Sequence, residues 1–596
     1  MGDKNSDFGT EQNKADDQWS TTRRRALQLA GVGVGGVAVP GFGSIDVRAA
    51  SECAEGPFER TYSGATVNLA RLESKRGKGK RAVDSGAKSP AGEKELEKLR
   101  AEAERGGHSE PSGRAQRAAG TGDELSIRTE YDGVNAEGTR GGVPSDSQIA
   151  AGRGKVVHAL NQQVAIFNKR SGNQQLKVRL EDIFRPVIDE PEGGFAYGYP
   201  FVFDPRARYD RNAERFVLAA TQYEPGITES GEIVDREELE ERAEEGEEGD
   251  AEPFQRPPQG WWCLAVSDGS NPNGKWHVYR IPPVNNEGLV DYPTLGLDRD
   301  AVYLSQNFFG ERFEVTMVTL DKAALYAGEA ATGYHFTAMD NPEVENDDFT
   351  VQPALQPFSG GSDGTFYLLN SVFPSPTADA LTLWEVTDPL DDPTLECFTV
   401  DVEKFGYPPA ARQPDSDALI DTLGTRLMNL DYNDGSLWAA HSIRYDWNGD
   451  GEAVAAIKWY EIDADARKVV QSGVYGEPGT SYFIPTVGSD GDSTIIAHNV
   501  SGPDTFPRME VAGRTAEHAP NELEDSVVVQ DGESRYDYGE GYDVMRWGDY
   551  NGVSVDPTSG RFWTVSQYSP DVDVDPDAEG RDPYHTRIAE VSFDGA

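Results

Sequence analysis

Seven stretches of this chain repeat one pattern: a short apolar strand, a polar turn built on Asp, Asn or Gly, and a second strand ending in an amide, His or Tyr. They occupy residues 146–161, 204–222, 292–307, 352–370, 426–441, 484–499 and 550–568. Two β-type runs joined by such a turn read as a β-hairpin. Further β-type runs follow each hairpin, such as 262–266 with 276–281, and 383–386 with 397–400. A unit of about four strands recurring every roughly 50–70 residues is the mark of a propeller blade. The expected fold is therefore all-β: a single β-propeller of seven blades, with six as the alternative. No helical 3.6-residue period runs through these segments, and their alternation of aliphatic and polar residues argues against a parallel α/β sheet. A strand at 124–131 is placed to complete the last blade and close the ring.

Charge sets the surroundings. Of 596 residues 103 are acidic and 55 basic, a net charge of −48, and only 16 of the basic residues are Lys. Such an acidic, Lys-poor surface resembles that of proteins from extreme halophiles, where screening lengths of a few ångströms (about 3 Å at 1 M) make the self-repulsion tolerable. It excludes nucleic acid as a partner, because phosphate binding needs a basic footprint.

The N-terminus carries an address. Thr22, Arg23, Arg24, Arg25, Ala26, Leu27 and Gln28 resemble the twin-arginine export motif, followed by a Gly-softened apolar run, 26–39, and small residues at Ala49 and Ala50. That run is too short to span a bilayer, which needs about 20 apolar residues. The expected layout is a signal region at 1–50, a disordered linker at 51–120 and a propeller at 121–596 with an acidic insertion at 226–256. The expected location is extracellular or at the cell surface. Cys53, Cys263 and Cys397 are too few and too scattered to imply a disulfide framework, so all three are expected to be ordinary thiols.

One turn supports a resemblance. Ser270-Asn271-Pro272-Asn273-Gly274-Lys275-Trp276 resembles a degenerate Asp-box, the turn that joins strands three and four in sialidase-type propellers; Thr387-Asp388-Pro389 echoes it. More broadly the chain resembles exported haloarchaeal propellers. The resemblance implies fold rather than activity, because Asp-boxes sit away from the sialidase active site. That chemistry also needs three converging Arg, of which only Arg426 has a plausible place.

Propeller geometry turns the repeat into a site. The start of strand one and the end of strand two emerge on the same face. That face is expected to gather ligand-binding residues at the channel mouth: Asp146, Asp204, Tyr292, Gln352, Arg426, Asn370, Asn499 and Tyr550. Amides and aromatics suit a glycan or another hydroxyl-rich ligand. Catalysis has two drafts. A glycoside hydrolase would use Asp291 and Asp549 as acid and base; a uronate lyase, as in ulvan-lyase-type propellers, would set Arg426 against the substrate carboxylate and move the proton with His441 or Tyr482. The alternative to both is a non-catalytic extracellular scaffold that binds protein through the propeller face. No nucleophile elbow, phosphate loop or zinc spacing is present. The one metal candidate is calcium at Asp446, Asn448 and Asp450, with Glu452 substituting for the ligand missing at position twelve.

Overall fold

In a computed structural model, each of the seven hairpins is an antiparallel strand pair. The Asp turns show why. Asp298 Oδ1 accepts the N–H groups of Asp300 and Ala301 at 2.8 and 2.7 Å, and Asp490 Oδ1 those of Asp492 and Ser493 at 3.0 and 2.8 Å. Asp210 and Asp556 do the same in their own turns. A carboxylate bonded to the backbone two and three residues on reverses the chain without help from outside.

The structure describes residues 53–72, 98, 124–136, 143–234, 253–310, 312–356, 364–537, 544–571 and 584–594. The innermost strands of sheets 1 to 7 are Gln148–Ala151, Phe201–Asp210, Leu289–Leu297, Gln352–Leu355, Leu430–Asn433, Ser481–Ser489 and Gly552–Val555. Second strands are Lys155–Leu160, Arg215–Glu224, Ala301–Phe309, Phe366–Ser371, Ser436–Tyr445, Ser493–Gly502 and Phe562–Tyr568. Third come Gln163–Asn168, Gln259–Ser267, Phe313–Asp321, Thr377–Thr387, Val454–Asp463, Thr505–Thr515 and His585–Phe593. The fourth are Gln174–Arg179, Lys275–Ile281, Ala331–Met339, Thr394–Gly406, Lys468–Tyr475, Val527–Gln530 and, out of order, Leu125–Asp132. Each innermost strand touches the next, and that of sheet 7 touches that of sheet 1, so the ring of a β-propeller closes. Leu125–Asp132 pairs antiparallel with the C-terminal strand, Leu125 opposite Phe593 and Asp132 opposite Arg587. This is the closing strand the sequence placed at 124–131.

The core lies between the faces of consecutive sheets rather than in one centre. Ala150, Val157 and Ile166 of sheet 1 pack on Leu218, Cys263 and Trp276 of sheet 2, whose other face presents Trp262, Leu264 and Tyr279 to Val302, Leu304 and Val318. Both faces of the inner strands are thus covered, which is why Ala301–Phe309 is buried almost throughout. The turn at 270–276 joins the third and fourth strands of sheet 2. There Trp276 is fully buried and its indole N–H donates to the Pro272 carbonyl at 2.7 Å.

Two expectations are corrected near the N-terminus. Residues 53–72, assigned to a linker by composition, form a strap along the outside of the ring. Glu55–Tyr62 adds a fifth strand to sheet 3, against Ala331–Met339, and Ala65–Asn68 a fifth strand to sheet 2, against Lys275–Ile281. Unpaired outer edges offer a ladder to any extended segment, and this one supplies alternate residues for it. The strap is also tied covalently: Cys53 and Cys397 form a disulfide across 344 residues of sequence. Only Cys263 is the buried free thiol expected, its pKa pushed up to about 12 by burial. Of the expected linker, 73–97 and 99–123 lie outside the described residues, as do the signal region and residues 235–252 of the insertion. The insertion's described base is a small sheet of Gly226–Thr228, Ile233–Val234 and Phe254–Arg256. Among the described residues no helix is long and apolar enough to cross a membrane.

Candidate functional site

Five residues just before or near the start of the inner strands share an unusual backbone. Asp146, Asp204, Tyr292, Thr350 and Ile484 have φ between 48° and 54°, a left-handed conformation that a non-Gly residue adopts at a cost of about 1–3 kcal/mol. Asp204, Tyr292 and Ile484 each precede a Pro and sit in a β-bulge of their strand. Neighbouring side chains receive four of these five strained N–H groups. Asp204 donates to Asn161 Oδ1 at 2.8 Å, Thr350 to Asn307 Oδ1 at 2.8 Å, and Ile484 to Ser442 Oγ at 3.0 Å. Tyr292 donates to Asp204 Oδ2 at 3.1 Å, and Asp549 to Asp146 Oδ1 at 2.6 Å. The amides at the ends of the second strands therefore join one sheet to the next, satisfying buried backbone groups.

This belt overturns the open mouth read from the sequence. None of the twelve catalytic and ligand candidates is more than 4% exposed. Asn370 is held by Asp348 and Trp384, Asn499 by Asn551 and Ser566, and Gln352 donates to the Leu427 carbonyl at 2.8 Å. His441 sits between the Thr425 carbonyl and the Tyr460 hydroxyl, at 2.9 and 3.0 Å, and burial lowers its pKa to about 3. Tyr482 packs on Tyr475 and His498 in the sheet 5–6 core. The Asp549 carboxylate pairs with Arg546 at 2.5 Å, and its carbonyl accepts the Tyr292 hydroxyl at 3.1 Å. Asp291 is 2% exposed, facing Asn307 in the register of sheet 3.

Tyr292, Tyr550 and Arg426 do meet, around a residue the sequence reading passed over. The Arg206 guanidinium, fully buried, lies 3.4 Å from the Tyr550 ring centroid and 4.7 Å from that of Tyr292. Arg426 flanks Tyr292 from 5.4 Å. Arg206 Nε donates to the Pro293 carbonyl at 2.7 Å, and its Nη2 has no hydrogen-bond partner among the described residues. Arg208, next along the same strand face, has its pKa lowered to about 10 by burial and by Arg206. Burial also raises the Tyr292 and Tyr550 hydroxyls above their usual range. The only sequence clue to Arg206 was its place two residues beyond the strained Asp204, on the channel side of the same strand.

The connection 407–429 and the described segments 531–537 and 544–551 cover this cluster. Leu419–Ile420 and Val544–Met545 pair in parallel, Gln413 and Tyr536 exchange two hydrogen bonds, and Leu423, Met428, Tyr536 and Trp547 pack with Tyr292 and Tyr550. The channel is thus capped where the sequence expected it open.

The calcium candidate folds on itself. Asp446 Oδ1 accepts the N–H groups of Asn448, Gly449 and Asp450, and Oδ2 that of Gly451 at 2.8 Å. Burial pushes this carboxyl up, but the four backbone bonds outweigh it and hold its pKa below the usual value. Asp450 Oδ1 accepts the N–H of Glu452. Among the described residues no three His, Cys, Asp or Glu side chains converge for a metal.

An open concavity lies at the opposite end, where the hairpin turns of sheets 1, 2, 6 and 7 meet. It measures about 500 Å³, with Arg211, Asp492 and Ser559 on its rim, and the buried rings of Tyr209, Phe562 and Phe593 lie beneath its floor. Its carboxylates are mostly engaged. Asp490 and Asp556 hold their own turns, Asp556 Oδ2 also takes Lys169 at 2.7 Å and the Trp563 indole N–H at 3.1 Å, and Glu214 pairs with Arg153.

No family model and no curated protein matches this chain. Solved structures similar to it are β-propellers. The polysaccharide lyase Uly1 aligns with a TM-score of 0.34 at 12% identity, over 83% of this chain and 95% of that one. The Dos1 propeller gives 0.34 at 8%, over 79% and 96%. A Trypanosoma rangeli sialidase mutant with trans-sialidase activity gives 0.28 at 10%, over 80% and 60%. At such identities the likeness is one of architecture.

Proposed function

We propose that the chain is an exported, salt-adapted β-propeller that binds a neutral glycan or similar hydroxyl-rich ligand in the concavity at the hairpin-turn end of its channel. The observation that carries this reading is the concavity itself: about 500 Å³, with a rim of hydroxyls, guanidinium and carboxylate groups over a floor of buried aromatic rings. Hydroxyl-rich ligands need directional donors and acceptors, and this rim supplies both. Binding without turnover fits the engaged state of the Asp490, Asp556 and Glu214 carboxylates, since a general acid or base needs a proton site within reach of substrate. Export, for which the motif at Thr22–Gln28 suggests the twin-arginine route, draws support from the Cys53–Cys397 disulfide, because such bonds persist in oxidising compartments.

The test is a calorimetric titration of neutral oligosaccharides into wild type and into Ser559→Trp, which fills the concavity from an exposed turn. Saturable binding weakened at least roughly tenfold in the variant is expected. A panel in which nothing saturates wild type, or equal binding by the variant, would refute the reading and leave the scaffold alternative.

A further inference from the structure

A second groove, about 460 Å³, lies at the outer side of sheet 2, between the segment 186–189, the strap turn at Ser63 and Gly64, and the edge carrying Arg280. Trp261 stands opposite Gln222 and Arg280 opposite Cys263, so Gln222, Trp261 and Arg280 share one face of the sheet. The Arg280 guanidinium lies 3.6 Å from the Trp261 ring centroid, and its Nε donates to Gln222 Oε1 at 2.6 Å. Gln222 is oriented in turn by its Nε2, which donates to Glu224 Oε1 at 3.3 Å. One stack and one hydrogen bond therefore fix the plane of the guanidinium. Its two terminal nitrogens donate to nothing among the described residues. In a chain of net charge −48 this cation is kept out of ion-pair contact, with Glu224 and Asp189 acting on it only at longer range.

A guanidinium fixed in plane with both terminal N–H groups open matches a carboxylate in bidentate fashion. The walls select what carries that carboxylate. Pro186 and Pro282 have no N–H to pair with a peptide backbone, and with Ala65 they offer a flat apolar surface of the kind sugar C–H faces cover. Asp189 and Ser63 supply acceptors for hydroxyl groups. We infer that this groove is a separate binding site for an acidic sugar, with its carboxylate on Arg280, its ring against Pro186 and Pro282, and its hydroxyls on Asp189 and Ser63. It shares no residue with the concavity at the hairpin turns.

The test is calorimetry at fixed ionic strength with methyl β-D-glucuronide, methyl β-D-glucoside, sodium sulfate and the dipeptide acetyl-Ala-Ala. Saturable glucuronide binding is expected, with the glucoside at least roughly tenfold weaker. Arg280→Lys keeps the charge but loses the fork, and should weaken the glucuronide at least roughly tenfold with an unchanged unfolding midpoint. Ser559→Trp should leave it unaffected. Equal affinity for glucoside and glucuronide, or full retention by Arg280→Lys, would overturn the inference. Tighter binding of sulfate would replace a carboxylate site with a general anion site, and tighter binding of the dipeptide would make it a peptide C-terminus site.

Discussion

Replacing Cys53 and Cys397 together by Ser removes the covalent tie of the strap and leaves its strands in place. The bridge spans 344 residues. Loop-closure entropy for a chain of that length gives about 5–6 kcal/mol, whereas measured disulfides cluster nearer 2–4 kcal/mol. With the bridge gone, the ladder of Glu55–Tyr62 on sheet 3 persists, as do the Arg60 bonds to the Pro283 and Val284 carbonyls and the Leu69 N–H bond to Gly274. These contacts keep the folded strap in place, and with measured disulfides as the guide we expect a loss of about 3 kcal/mol. The assay is urea unfolding at fixed salt, comparing oxidised wild type, reduced wild type and the double Ser variant. Hydrogen exchange should show added opening in 55–62 before any in sheets 5 to 7, because the strap then frays from its freed end. Coincident midpoints, with the bridge confirmed in the wild type by mass spectrometry, would refute the reasoning.

Three further outcomes are expected. Burial lowers His158, His335 and His441 to pKa values of about 3, so these residues stay neutral in the fold while the unfolded chain takes up protons below about 6.5. The stability they contribute is complete above that pH and lost as pH falls toward 3; His441→Gln should flatten the pH dependence of the midpoint by about one proton. Asp549→Asn removes the charge that Arg546 faces and should cost about 1–3 kcal/mol of stability while leaving any ligand affinity at the hairpin-turn concavity unaltered, as unfolding and calorimetry would show. Replacing Arg23 and Arg24 by Lys should hold folded protein in the cytoplasm, and unchanged secretion on fractionation would show that another signal is used.

The hairpins were legible because everything that makes them is local: two strands, and an Asp such as Asp298 or Asp490 capping its own turn. The closing strand was legible for a related reason, since sheet 7 ran out of sequence and only 124–131 offered the right pattern. The mouth was not. Strand position says which end of a sheet Asn161 or Asn307 occupies, and both are at that end. It does not say that a strained N–H from the next sheet waits 2.8 Å away, nor that 407–429, 531–537 and 544–551 fold over the result. The dipeptides Asp204-Pro205, Tyr292-Pro293 and Ile484-Pro485 were the signal that this end is structural, because a bulged strand start preceding Pro is a joint rather than a loose loop. Cys53 and Cys397 were beyond such reasoning, since their proximity depends on where the strap lies around the finished ring.

The closing strand also fixes an order of events during synthesis. Asp132 leaves the ribosome 455 residues ahead of Arg587, the residue it will face. At bacterial or eukaryotic elongation rates that is a wait of roughly 20–90 s, through which Leu125–Asp132 has no partner strand and the ring stays open. An exposed β edge of that duration invites pairing with neighbouring nascent chains. Arg128, Glu130 and Asp132 alternate along it with their side chains outward, so the strand carries its own charge barrier while it waits. Its pairing cannot begin before the strand carrying Arg587 has emerged, and closing the ring is therefore a late step of folding.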